Sequence, residues 1–386
     1  MRHTDAATAA CGYWHRRGLP TRPAQAVTAP GAPLLLLAVL AAADRAAADQ
    51  TAGRANAANA ASGGRGGVGG GVLLPRPSAA WYAPQARLLG RPLHPVPVPA
   101  ECGGVPDPVA LREAARRART AGVDPRVLLL SVADDPTGTA APPELLHEVC
   151  EAASDEGLLI VSDESWRDAC HDPHHTVIVS PAEMLGSGRT GSVVVLAGVD
   201  VALPHPGVRA GIARFQDTEH GRELGDRVRE ILDALDTELR GPDDAAVAEV
   251  LAEPGPVRER RTAEAAQHGA FAAALHEVLT EAGAVCRPPQ VGRALYADLQ
   301  ELRPRLAAHG IEDAPGLEAE LVRRLGSHVR GGHRFGDDPR ALRVRLSTGL
   351  LGPVVPAEAE ARPLELPGVP EALDAVRGAL AALTAG

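Results

Sequence analysis

Short apolar runs alternate with segments of helical period from residue 72 to about residue 239, and this alternation limits what the chain can fold into. The runs are Val72-Leu73-Leu74, residues 127–130, 158–161 and 192–196, with a further candidate at 208–213. A strand apolar on both of its alternating faces has to be covered on both sides, and successive parallel strands need a crossover long enough to be a helix. The intervening segments 80–89, 107–121, 142–156 and 218–239 supply such helices, the second opened by Asp107 as N-cap with Pro108 in the first turn. Residues 93–98 read as extended, and their prolines place them at an edge. The expectation is an α/β fold with a mainly parallel sheet between helices.

Beyond residue 256 the order changes. A long helical period at 259–282 precedes strands near 294–299 and 342–347, a helix near 317–325 and a final helix after Pro370. We therefore expect a large domain over residues 1–255 and a smaller α+β domain over 256–386. Residues 44–71, rich in Ala and Gly and ending in GGRGGVGGG, read as a flexible insertion. The apolar stretch 33–43 is too short to span a bilayer and begins too late for a secretory signal, so a buried helix is expected there and no membrane association.

Composition narrows the function classes. Aromatic residues are only 2% of the chain, so Ala, Val and Leu must fill the core. A net charge of -10 with dispersed arginines argues against nucleic acid as a partner. Five cysteines without a CxxC pair suit reduced thiols in the cytoplasm. His171-Asp172-Pro173-His174-His175 has no spacing that gathers ligands on one face, so it reads as a solvated loop and no metal is expected. The aromatic-rich stretch 11–17 reads as a packing or dimer contact.

Strand ends of a parallel sheet are where α/β proteins build sites, and three of them carry distinctive text. These are Asp134-Asp135-Pro136-Thr137-Gly138-Thr139, Ser162-Asp163-Glu164-Ser165-Trp166, and Gly198-Val199-Asp200-Val201 running on to Gly207-Val208-Arg209. Further on stand Gly331-Gly332-His333-Arg334-Phe335-Gly336 and Arg343-Val344-Arg345-Leu346-Ser347. In content, order and spacing these resemble the NNPTGT, SDExY, GLSK…GxR, PGxxFG and RLS motifs of the class I/II aminotransferases, from about residue 12 to the C-terminus. The resemblance implies the fold type I architecture of pyridoxal-phosphate enzymes. It implies transfer of amino groups between amino acids and 2-oxo acids. The N-terminal segment that helps close the active site in that family is expected to be missing here.

Carried over position by position, the resemblance makes Asp163 the partner of the cofactor's pyridine nitrogen. Gly31, Ala32 and Arg209 become its phosphate site, and Arg345 the ligand of the substrate carboxylate. Other positions depart from the family. The chain contains no lysine at all, and Val201 stands where the Schiff-base lysine belongs. Asp135 replaces the asparagine that meets the ring's phenolic oxygen, Trp166 replaces the tyrosine beside it, and Ala79 stands where an aromatic stacks on the ring. Trp81, two residues on, points elsewhere on a helix.

The first expectation is therefore a degenerate, non-transaminating homologue, a homodimer or the partner subunit of an active paralogue. Pyridoxal phosphate would bind at most non-covalently, and a small amino acid or carboxylate could still be a ligand. The alternative is an enzyme that uses the fold without a Schiff base, with His205 or Asp200 as a displaced base.

Overall fold

In the computed structural model, residues 5–55, 70–99, 102–185, 193–203, 207–237, 239, 242–353 and 362–384 are described. Seven strands make the large sheet: β1 (Ala26–Ala29), β2 (Gly71–Arg76), β3 (Leu93–Pro97), β4 (Pro125–Ser131), β5 (Leu159–Asp163), β6 (Val193–Gly198) and β7 (Gly211–Phe215). Their order is β1-β7-β6-β5-β4-β2-β3. Strands β2 to β6 pair in parallel, and β7 is antiparallel to both neighbours. The proline-bearing β3 is an edge, because its prolines cannot donate to a second ladder.

Period two decides the faces. Leu128, Leu130, Ile160, Val193 and Val195 point into one apolar layer, where α1 (Ala6–His15), α4 (Pro108–Thr120) and α5 (Pro143–Asp155) lie. Val127, Leu129, Val161, Val194 and Leu196 point into the other, beneath α2 (Ala32–Ala55), α3 (Tyr82–Leu88) and α8 (Glu219–Ala234). Two one-turn helices, α6 (Pro181–Met184) and α7 (Val199–Ala202), sit at strand ends, and α9 (Pro242–Leu251) packs on α1. Asp107 caps α4 by accepting from the Val109 and Ala110 amides.

The long α10 (Gly255–Glu281) gives Val257 to the first layer and Phe271, Leu275 and Leu279 to a separate core. That second core also holds α11 (Arg303–Ala308), α12 (Ala314–Leu325) and α13 (Val369–Thr384). It backs an antiparallel sheet of order β10-β11-β9-β8, made by β8 (Val285–Cys286), β9 (Ala294–Asp298), β10 (Val329–Gly331) and β11 (Arg343–Ser347).

Two expectations are corrected. The supposed insertion at 44–71 is helical through residue 55, because the alanines after residue 43 favour continuing α2; residues 56–69 lie outside the described residues, and β2 already begins at Gly71. The strand expected at 208–213 is β7 at Gly211–Phe215, set by pairing Gly211 with Gly198. The stretch 33–43 is a buried helical segment, with Leu35, Leu36, Val39 and Leu40 fully enclosed. Among the described residues no helix is long and apolar enough to cross a membrane. Tyr13 and Trp14 are also interior, at 1% and 0% exposure, so the aromatic stretch packs within its own chain.

Candidate functional site

Asp163 ends β5 with its carboxylate buried. Oδ1 accepts from the Ser165 amide at 2.9 Å and from Ser165 Oγ at 2.6 Å, and Oδ2 accepts from the Tyr82 hydroxyl at 2.6 Å. Ser165 Oγ also accepts from the Gly198 amide at 2.8 Å, which ties the end of β5 to the turn between β6 and α7. Burial pushes Asp163 above the usual carboxylate range, against the pull of the Ser165 and Tyr82 hydrogen bonds. Burial and the facing carboxylate raise Tyr82 well above its ordinary value, so it stays a donor.

Val201 and Asp200 lie on α7 beside this group. A Cβ placed on Gly198 would stand 3.3 Å from Asp200 Oδ1, 3.5 Å from Ser165 Oγ and 3.7 Å from Val201 Cγ2. The position of the expected lysine is thus next to the Asp163–Ser165 unit, and it carries only methyl groups. His205 lies outside the described residues, and the Asp200 side chain is exposed.

Gly31 and Ala32, at the start of α2, rest on β7. A Cβ at Gly211 would come within 2.4 Å of the Ala32 nitrogen, so only glycine allows the helix start to approach this closely. Arg209, two residues before Gly211, is exposed and has no hydrogen-bond or ion-pair partner among the described residues.

Asp135 and Arg345 were expected to meet a cofactor oxygen and a substrate carboxylate, respectively. The two residues meet each other: Arg345 Nε donates to Asp135 Oδ1 at 2.7 Å, with side-chain exposures of 15% and 23%. The guanidinium carbon also lies 5.7 Å from the centre of the Phe335 ring. Opposite charges brought this close in a half-buried cleft pair off, because both then keep a strong hydrogen-bond partner as water is displaced. Trp166 packs with Ala133, Ala140 and Val291, and the Arg293 guanidinium carbon lies 5.6 Å from its ring centre. Ala79 is buried in the apolar layer under α2, at 4% exposure, so a stacking ring would not fit there without displacing the core.

Asp134, next to Asp135, was not singled out from sequence. It is 5% exposed and accepts from the Thr137 amide at 3.3 Å and Thr137 Oγ1 at 2.5 Å. Gly104, at φ +87°, closes over it, and a Cβ there would fall 2.4 Å from Asp134 Cβ. Burial, with Asp135 and Asp163 nearby, pushes Asp134 up to about 7 against the Thr137 hydrogen bonds. Tyr82 and Ser165 also escaped notice. The only hint was the scarcity of tyrosine, three in the chain, with one of them three residues past Ala79.

A carboxylate offers about four acceptor sites, and three donors reach Asp163, so Oδ2 can still accept from a protonated ring nitrogen. The residues therefore fit that contact of pyridoxal phosphate. They do not fit covalent attachment, because no side chain in the sequence carries a primary amine. Among the described residues no group of three or more His, Cys, Asp or Glu is placed to hold a metal.

Residues 52–350 match the family described as aminotransferase class I and II. LL-diaminopimelate aminotransferase of Desulforudis audaxviator (strain MP104C) is 33% identical over 102 residues; the match spans 26% of this chain and 24% of that relative. Among solved structures, Thermus thermophilus aspartate aminotransferase with maleate superposes at a TM-score of 0.70 and 18% identity, covering 97% of this chain and 81% of that one. N-succinyldiaminopimelate aminotransferase from Mycobacterium tuberculosis gives 0.71 and 20%, over 98% and 83%. At these identities the structural likeness speaks for the fold.

Proposed function

This chain belongs to the class I and II aminotransferase family, and we propose that within it the protein is a non-transaminating member that holds no cofactor covalently. The observation that carries this reading is the absence of any lysine among 386 residues, with Val201 beside the Asp163–Ser165 unit. A Schiff base needs a primary amine as nucleophile, and valine offers none.

The Asp135–Arg345 pair supports the same reading. Asp135 already neutralises Arg345 through its Nε, so an incoming carboxylate meets a paired cation and finds only the remaining N–H donors of the guanidinium. What this chain keeps is Asp163, held by Tyr82 and Ser165, and an anion-ready end of the sheet at Gly31, Ala32 and Arg209. Pyridoxal phosphate bound there would supply an electron-withdrawing ring; Asp163 would hold the proton on its nitrogen. In our reading that binding is non-covalent and weak. The protein works in the cytoplasm as a homodimer or beside a lysine-bearing paralogue, with a small amino acid or carboxylate as ligand.

The test is incubation of the purified protein with pyridoxal phosphate, borohydride reduction and peptide mass spectrometry. No adduct is expected in the peptide spanning residues 190–215, and a labelled peptide there would overturn the proposal. Val201→Lys alone should give little Schiff-base absorbance. Val201→Lys with Asp135→Asn should give more, since the second change removes the carboxylate that faces the ring and frees Arg345.

A further inference from the structure

Ion pairs of the large sheet's α1 side converge on one arginine. Arg17 follows α1, and its side chain is only 8% exposed. Nε and Nη2 donate to the Asp168 carboxylate at 3.0 and 2.7 Å, while Nη1 and Nη2 donate to the Glu253 carboxylate at 3.0 and 2.9 Å. Nη1 also donates to the Tyr13 carbonyl at 2.9 Å, and the guanidinium carbon lies 3.4 Å from the centre of the Tyr13 ring. Every N–H of the fork is engaged. A planar fork shared by two carboxylates keeps this geometry only while both stay in place.

The two carboxylates belong to parts of the chain with different tasks. Asp168 closes the turn 165–168 after β5, in which Ser165 donates to Asp163 and accepts from the Gly198 amide. Glu253 forms the elbow between α9 and α10 at φ +52°, a strained value for a residue with a side chain. Arg16 and Arg261 also donate to its carboxylate, each at 2.6 Å. From this elbow α10 runs on to pack in both the first apolar layer and the separate second core. Among the described residues Arg17 alone donates hydrogen bonds to both carboxylates, since Arg261 stays 4.0 Å from Asp168.

From this we infer that Arg17 is a positioning residue that couples the elbow ahead of α10 to the turn of the site. The placing of the helix that joins the two cores and the hydrogen bonds around Asp163 are set together. Charge gives the coupling its direction. Without the Glu253 carboxylate, Arg16, Arg17 and Arg261 would have only Asp168 between them, and their repulsion would pull Arg17 off its fork and slacken the turn.

Hydrogen exchange of the full chain, followed by peptide mass spectrometry over residues 164–170 and 252–258, tests this without cofactor or activity and so stands apart from the proposed function. The Arg167 and Ala169 amides are bonded within the turn, and the Glu253 amide is bonded to the Val250 carbonyl. Such segments exchange by local opening, which a loss of global stability alone does not speed. Glu253→Gln should speed exchange over 164–170 about ten- to a hundredfold, the range expected for one charge-assisted hydrogen bond. Asp168→Asn should speed 252–258 to a similar degree, as reciprocity requires. Arg17→Lys keeps a cation for folding but puts a point charge in place of the fork. In that background Glu253→Gln should still speed 252–258 and leave 164–170 unchanged. Exchange over 164–170 that does not respond to Glu253→Gln would overturn the inference, as would exchange over 252–258 that ignores Asp168→Asn. So would a full effect of Glu253→Gln on 164–170 in the Arg17→Lys protein.

Discussion

Asp134→Asn should make the protein more stable, increasingly so as the pH rises. The folded carboxyl titrates at about 7, whereas an ordinary aspartate titrates near 3.8. Below pH 3.8 both folded and unfolded chains are protonated here, and the stability contribution is fully present. Between those values the unfolded chain has released a proton that the folded chain retains, so stability falls with rising pH. Above about 7 the folded chain holds a buried anion, and the loss is complete. At 1.36 kcal/mol for each tenfold change in acidity, the gap amounts to about 4 kcal/mol. Asparagine keeps an oxygen to accept from the Thr137 amide and hydroxyl, and it does not titrate. Urea unfolding of both proteins at pH 4.5, 6 and 8 follows this group, since titrations of groups distant from Asp134 cancel in the difference. The variant's advantage should grow by about 3 kcal/mol across that range, the first part of the gap having been lost below pH 4.5. A difference constant to within about 0.5 kcal/mol would show that Asp134 ionises as an exposed aspartate does, and the burial argument would fail.

Two further substitutions test the supports of the fold and the site. Glu253 accepts from Arg16, Arg17 and Arg261 with 4% side-chain exposure. Burial would raise its carboxyl, but these arginines outweigh burial and hold it at about 2. Its depressed value means the contribution is present above pH 4.5 and fades as the pH falls through about 2. Glu253→Gln should therefore lose about 2–3 kcal/mol at pH 7 by urea unfolding, and a change below about 0.5 would count against the network. Tyr82→Phe removes the hydroxyl that donates to the buried Asp163 Oδ2. A loss of about 1–3 kcal/mol is expected at pH 7, shrinking toward acid pH as Asp163 takes up a proton, and a loss that does not vary with pH would refute the assignment.

Much of this protein was legible from local pattern. Uniformly apolar runs announced strands covered on both faces, and a residue such as Leu128 or Leu129 could be assigned opposite layers from its parity alone. Asp107 and Pro108 marked the start of α4, because a cap is satisfied within three residues. The missing lysine is a fact of composition that no fold can alter. Other features depended on groups far apart in the chain. Asp135 and Arg345 are 210 residues apart, so nothing near either one tells that the aspartate lies across the arginine that was expected to hold a substrate. Tyr82 and Asp163 are 81 residues apart and meet only because α3 is laid over the sheet end. Asp134 reads as an ordinary loop aspartate until Gly104 closes over it and removes water. Periodicity and capping are satisfied by neighbours along the chain, and so the sequence determines them. Ion pairing and acidity depend on which distant groups share a desolvated space, and only the tertiary structure decides that.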